Sequence, residues 1–442
     1  MRKDGLLFKE RRQRLVSLLQ EQALMLNNAD LIVLISNFEC SSKEFRQESS
    51  FYYLTGIVEP GTAITIDNKG YTTLYIPQCS VSRAQWLSSD VQVDDQTKQR
   101  LNVDAIEYLG DPCKGYQISP LFSEKEYNNL LSKLEKVCNT NGILYVLNSE
   151  SSHEYIEQKQ ALARIVRFKP LLETYLKNIS PIVAKMRRKK SKREIEGIYK
   201  AIELTLIAQE AAACVISEGT HEQYVKAGIE YIFAEAGARS AFPSIVAAGK
   251  SGTILHHTPK NIAMKKGDLV IVDIGAEVDY YCADITRTYP VSGTFNKRQR
   301  ELYKIVLETQ EYIASLVKPG VWLNNAEHPD KSLQHLAKKF LEKKGYGNYF
   351  VHGIGHFLGL DVHDVGNANE PIQEGDVITI EPGIYIPQEE IGIRIEDDYW
   401  VIKDGVICLS NELPKDVDSI EAMAQGTLEV DDAEEEDDSS FN

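Results

Sequence analysis

Apolar and polar positions recur along this chain in two periods. Over residues 5–26, Leu7, Leu15, Leu18 and Leu19 sit among charged neighbours at helical spacing, which predicts an amphipathic helix. Short apolar runs follow at Leu31–Ile35, Ala63–Ile66, Thr73–Ile76 and Ile143–Leu147, with helical stretches between some of them. That order predicts an α/β N-terminal domain over residues 1–175. A second helix opens at Ser191, which stands three residues before Glu194 in the spacing of a capping box. Ile195, Ile198, Ile202 and Leu206 continue it at helical spacing to about Ile216, before Gly219. Beyond Phe242 the pattern turns to strands at Leu269–Ile274, Tyr281–Thr288, Val377–Ile380 and Ile391–Ile395, with a helix between Lys297 and Val317. Strands and helices in mixed order predict an α+β domain over 176–427. No internal sequence repeat stands out.

The length of 442 residues exceeds one ordinary core and supports two domains. Charge narrows the function: 49 basic residues face 65 acidic ones, a net of −16, which argues against a nucleic-acid partner. The run Arg187–Lys190 with Lys192 and Arg193 is the one strong basic cluster, and it reads as a solvated linker and helix start. Residues 429–438 form a dense acidic block expected to be a disordered, solvating tail over 428–442. Seven widely spaced cysteines without a CxxC pair do not form a disulfide framework and suit a reducing compartment. The charged N-terminus lacks the apolar run of a signal peptide, and no apolar stretch is long enough to span a bilayer. A cytoplasmic protein without a membrane partner is expected.

The candidate chemistry lies in acids delivered by apolar strands. Asp273 ends the run LVIVDIG, and Asp284 lies eleven residues on in YYCADITRTYP, so a hairpin would face the two carboxylates. Close carboxylates repel, which raises a pKa or calls for a metal. One such Asp alone would ordinarily be satisfied by backbone N–H groups. Glu381 follows VITI as Asp273 follows its strand, and Glu396 lies in IGIRIEDD. There alternation puts Gly392, Arg394 and Glu396 on one face, so Arg394 and Glu396 would make a strand ion pair, exposed in the simplest case. His352, His356 and His363 fall within twelve residues in a chain with nine histidines, beside glycines that permit close backbone approach. Four carboxylates and an imidazole would hold two divalent cations, Mn²⁺ best, with Co²⁺, Fe²⁺ or Zn²⁺ as alternatives.

These segments, VDIG, ADITRTYPVSG, HGIGHFLGLDVHDVG, EPGIYIP and GIRIEDD, resemble the metal-site segments of the pita-bread metallopeptidases. The likeness covers roughly residues 180–425, and RQESSFYYLTGIVEP resembles the segment before the catalytic domain of aminopeptidase P, which argues against methionine aminopeptidase. The resemblance implies a pita-bread fold and a metal-dependent exopeptidase that releases the first residue of peptides with proline second. It implies Asp273, Asp284, His356, Glu381 and Glu396 as metal ligands, with Asp284 and Glu396 bridging two ions. A bridging hydroxide would attack the scissile carbonyl. His256, His352 and His363 match active-site histidines of the family; His363 or His256 would stabilise the oxyanion, and Glu381 would shuttle a proton. Tyr385 and Arg394 would orient Asp273. His257 has no such counterpart and reads as structural or exposed, and Trp86 is a candidate to line a pocket from a neighbouring subunit. A homodimer or homotetramer is implied. Two departures from the aminopeptidase P pattern bear on substrate length: Gly355 in HGIGHF looks more like some prolidases, and the connection from Glu381 to Glu396 is short for aminopeptidase P. The alternatives are therefore a prolidase restricted to Xaa-Pro dipeptides and a pita-bread binding protein without catalysis, whose signature would be lost ligands.

Overall fold

The structure, a computed structural model, describes residues 5–40, 44–79, 83, 89–113, 118, 122–148 and 156–427. The acidic tail and Trp86 lie outside the described residues. Contacts divide the chain into two compact units, Met1–Arg187 and Arg188–Asn442.

The first unit is built on a six-stranded sheet of β1 (Leu31–Ile35), β2 (Ala63–Asp67), β3 (Thr72–Ile76), β4 (Ala105–Tyr108), β5 (Leu144–Val146) and β6 (Leu176–Asn178), in the order β4-β3-β2-β1-β5-β6. β1, β2 and β3 pair antiparallel, whereas β4, β5 and β6 join in parallel. The first helix ends at Glu21, short of the expected 26, because Ala23 and Met25 adopt left-handed backbone, φ 57° and 53°. Its face includes charge as well as Leu15 and Leu19. Arg12 is buried and donates to the carbonyls of Leu54 and Asn102, so a helix end and a turn are satisfied by a side chain.

In the second unit the helix Lys192–Val215 starts at the capping box of Ser191 and Glu194. The strands pair antiparallel in small sheets. β8 (Ile245–Ala248), β9 (Leu269–Ile274) and β12 (Ile285–Pro290) form one, in the order β12-β9-β8; β7 (Arg239–Ser240), β10 (Ala276–Val278) and β11 (Tyr281–Cys282) form another. The predicted strand Tyr281–Thr288 is thus two pieces. Asp279 and Tyr280, with φ of 48° and 75°, turn the chain between β10 and β11, while Ile285 resumes the ladder opposite Ile274. β13 (Val377–Ile380), β16 (Asp397–Ile402) and β17 (Gly405–Cys408) make a third sheet, and β14 (Gly383–Ile386) pairs with β15 (Ile391–Arg394).

Two long helices cover these sheets, and each uses one buried glutamine alike. Gln209 donates to the carbonyls of Val272 and Ile285, at 3.0 and 2.8 Å. Gln310, on the helix Lys297–Leu316, donates to those of Ile380 and Ile395, at 3.0 and 3.3 Å. Each carbonyl belongs to the neighbour of one of the four candidate acids. The two halves of the unit therefore share a device that no sequence repeat reveals.

The basic run departs from its expectation. Arg188 and Lys190 are buried, as is Arg187 in the first unit. Arg188 binds both carboxylate oxygens of Asp376 at 2.9 and 2.8 Å, and Lys190 meets Asp364 at 2.9 Å. Arg188 and Lys190 can be enclosed because each meets a carboxylate, 188 and 174 positions along the chain.

Candidate metal centre

Asp273 stands on β9 opposite Thr286 of β12 and Ile245 of β8. Asp284 immediately precedes β12, so the expected hairpin forms and turns both acids inward. Glu381 follows β13. Glu396 lies between β15 and β16, bridged to Thr286 by its N–H, and its carboxylate accepts the Thr286 hydroxyl at 2.7 Å. His356 enters on a segment laid along β13: Thr379 receives its N–H through Oγ1 and returns a backbone N–H to its carbonyl. That approach requires Gly355, since a Cβ there would meet the Thr379 carbonyl oxygen at 2.0 Å.

Ligand atoms of Asp284, His356 and Glu396 lie within 4.8 Å of one another. The His356 Nδ1 donates to the Phe357 carbonyl at 3.1 Å, which leaves the Nε2 lone pair facing Asp284 at 3.3 Å and Glu381 at 3.7 Å. Asp273, Asp284 and Glu396 are buried, and Asp273 Oδ1 and Asp284 Oδ1 have no hydrogen-bond partner among the described residues. Burial first, then Asp273, Asp398 and Glu381, push Asp284 well above the usual carboxylate range. Burial, then Asp284 and Glu381, do the same to Glu396. Burial raises Glu381 to about 7 against the pull of His356 and Arg394. Four converging carboxylates, two with unpartnered oxygens, meet one guanidinium. The residues present therefore fit divalent cations, hard ions that take oxygen donors and one imidazole.

Arg394 is buried and does not make the expected exposed pair with Glu396. Its Nη2 donates to Asp273 at 2.6 Å, its Nη1 to the Tyr385 hydroxyl at 2.7 Å, and its Nε to Thr286. Tyr385 in turn meets His352 Nε2 at 2.8 Å. The His352 Nδ1 donates to the Gly353 carbonyl, so Nε2 accepts from Tyr385. Burial, then Arg394, lower His352 to about 4, which keeps it neutral. Donation thus runs outward from Arg394, to Asp273 on one side and through the Tyr385 hydroxyl to His352 on the other. His363 stacks on His356 with ring centroids 4.1 Å apart, and burial, then His356 and His256, lower it too.

These groups open on a pocket of about 330 Å³, lined by His256, His352, His356, His363, Asp273, Glu381 and Arg394 with Leu255 and two glycines. Of the residues named for the site, Asp273, Asp284, His256, His352, His356, His363, Glu381, Tyr385, Arg394 and Glu396 are at this centre or in contact with it, and Trp86 lies outside the described residues. The sequence reading missed Thr286, which buttresses Glu396 and Arg394, and Asp398, whose Oδ2 accepts the Asp284 N–H at 3.1 Å. Thr286 carried a signal, two residues beyond Asp284 on one strand. His257 is buried on Glu222, as described below.

Against this geometry the known proteins are informative. The model of metallopeptidase family M24 matches residues 196–403, and that of the aminopeptidase P N-terminal domain matches 8–114. The Xaa-Pro aminopeptidase of Haemophilus influenzae is 30% identical over 94% of this chain and 96% of its own length. The chain belongs to metallopeptidase family M24. The M24 enzyme has the pita-bread fold. It is 31% identical to the Xaa-Pro aminopeptidase of Escherichia coli over 94% of this chain and 97% of that one. A variant of Escherichia coli aminopeptidase P in complex with substrate superposes with a TM-score of 0.78 at 27% identity, covering 95% and 98% of the two chains. The zinc-substituted enzyme in complex with product gives 0.77 at 27%, covering 96% and 98%. Among the described residues no helix is long and apolar enough to cross a membrane.

Proposed function

We propose that this enzyme releases the N-terminal residue from peptides with proline at the second position. The observation that carries the reading is the cluster of Asp284, His356 and Glu396 beside the pocket acids Asp273 and Glu381, joined to a likeness to Xaa-Pro aminopeptidases over 94% of the chain. Asp273, Asp284, His356, Glu381 and Glu396 would hold the divalent ions, as the family resemblance implies. Mn²⁺ suits this donor set, with Co²⁺, Fe²⁺ or Zn²⁺ as alternatives. When bound, such ions polarise a carbonyl and make water acidic enough to ionise near neutral pH.

The protein's own groups do the rest. Asp273, fixed by Arg394, offers its free Oδ1 toward the pocket and takes the peptide's amine, which makes the action exopeptidic. Glu381, at the end of β13 on the pocket wall, takes a proton from the attacking water and passes it to the leaving nitrogen. Neutral His363, or His256, presents an N–H group to the substrate carbonyl, while His352, whose own N–H is held by the Gly353 carbonyl, offers a flat wall to the proline. On this reading residues 176–427 form the peptidase domain and 1–175 the preceding one, and the molecule is a cytoplasmic homodimer or homotetramer.

A second reading has a specific observation behind it. The Xaa-Pro dipeptidase of Pyrococcus furiosus is 40% identical over 52% of this chain and 65% of its own length. Glu381 and Glu396 are also joined only by the tight hairpin of β14 and β15, with Glu390 in its turn. Hydrolysis of a Xaa-Pro dipeptide and a Xaa-Pro pentapeptide, with Mn²⁺ and after chelation, separates the two. Metal-dependent release of the first residue from both supports the aminopeptidase; cleavage of the dipeptide alone selects prolidase. Cleavage of neither defeats both readings.

A further inference from the structure

His256 reaches the pocket from an exposed loop, and the residue after it points the other way. His257 is 5% exposed, and its Nε2 lies 2.8 Å from Glu222 Oε2. A carboxylate only accepts, so Nε2 carries the proton. Glu222 is wholly buried at the start of the helix Glu222–Glu235 and takes two further donors. Oε1 accepts the N–H of Ala248, the last residue of β8, at 2.9 Å, and Oε2 that of Lys260 at 3.0 Å. One carboxylate thereby joins three segments: the helix start, the strand beside Asp273, and the loop at His257 and Lys260. Backbone bonds from Glu222 and Gln223 to Ile262 and Lys260 sew the far end of the loop to the same helix turn.

A buried carboxylate with three donors is satisfied, and removing one donor leaves a desolvated charge that the fold must accommodate. We propose that the Glu222–His257 pair is a positioning device for the reaction. It anchors the loop so that His256, one residue away and on the opposite face, is presented to the substrate. Neither member of the pair lines the pocket, whereas His256 does, so the pair acts through His256. This inference rests on the functional reading above for its kinetic consequence, whereas the anchoring itself does not.

The test uses the full-length protein with Mn²⁺ and a Xaa-Pro pentapeptide, comparing His257→Phe and His257→Gln in wild-type and His256→Ala backgrounds. His257→Phe is expected to lower kcat/KM about tenfold, because sub-ångström placement of a catalytic group governs rate. In the His256→Ala background the same change should cost less than about twofold, since coupled residues are non-additive. His257→Gln, which keeps a donor within reach of Glu222, should recover most of the loss, and Mn²⁺ affinity should not move. Amide exchange over residues 255–262 should quicken in His257→Phe and not elsewhere. Equal losses in both backgrounds, a parallel loss of Mn²⁺ affinity, or unchanged exchange over 255–262 would each overturn the proposal. If the wild-type protein left the pentapeptide intact, the functional reading would fail, and the exchange result would still decide the anchoring.

Discussion

Glu396 and Asp397 are consecutive, both buried, and electrostatically opposite. Strand alternation sends them to different faces, as it does Thr286, which stands opposite Glu396, and the next residue Arg287. Asp397 accepts from Arg287 at 2.8 Å, Ser410 at 2.7 Å and Lys415 at 2.8 Å. Arg287 spends its remaining N–H groups on the carbonyls of Pro414, Thr286, Glu396 and Leu413. Burial alone would raise Asp397, but Arg287 and Lys415 outweigh it and hold the carboxyl below its ordinary value. Glu396 receives one hydroxyl and faces other carboxylates, and it is driven up. Burial of charge is therefore no mark of a site. Burial of charge without its counter-charge is, and a cation supplies what Glu396 lacks and Asp397 already has.

The comparison is most severely tested at Glu396. Glu396→Gln is expected to abolish peptide turnover and lower bound metal, read by peptide hydrolysis and elemental analysis; full activity would break the account. Asp397→Asn should do the converse. It leaves Arg287 enclosed without its charge partner, at a cost of about 3–5 kcal/mol by denaturant unfolding, while metal binding persists in the folded fraction. The third effect is smaller. Arg394→Gln releases Asp273 without touching the metal, and Mn²⁺ affinity measured by calorimetry should fall about 10- to 100-fold.

The fourth prediction concerns pH. In chelated protein Asp284 and Glu396 are raised and Glu381 stands at about 7, so the folded state binds more protons than the unfolded one above the ordinary carboxylate range. Stability conferred below that range is lost as pH rises through the folded values. The melting temperature of the chelated protein should therefore fall between about pH 5 and pH 8, from the same linkage, and saturating Mn²⁺ should flatten the slope. The depressed Asp397 acts in the opposite sense, with stability present above its unfolded value and lost at acid pH. A chelated protein that gained stability toward pH 8 would remove the electrostatic distinction between the two clusters.

The candidate ligands were legible in the sequence because each is an acid at the end of an apolar strand, or a histidine between glycines, and strands announce themselves by local pattern. The partners were not. Arg394 reads as the neighbour of Glu396, yet it meets Asp273, 121 positions away. The cations at 188 and 190 read as solvated because Asp376 and Asp364 lie far along the chain. His257 gave no sign of Glu222, 35 residues earlier. In each case the local pattern specifies the element, while the pairing of buried charge is set by tertiary contact. The strand Tyr281–Thr288 failed for a different reason: at Ala283–Asp284 the chain changes partner from β10 to β9, and local pattern does not show which strand a segment will pair with.

Titration of Mn²⁺ into chelated wild-type, Glu396→Gln and Asp397→Asn proteins tests the central claim most directly, with folding of each confirmed by circular dichroism. The account predicts two ions bound by the wild type and by Asp397→Asn, and loss of binding in Glu396→Gln. Undiminished binding in Glu396→Gln, or its loss in a folded Asp397→Asn, would contradict it.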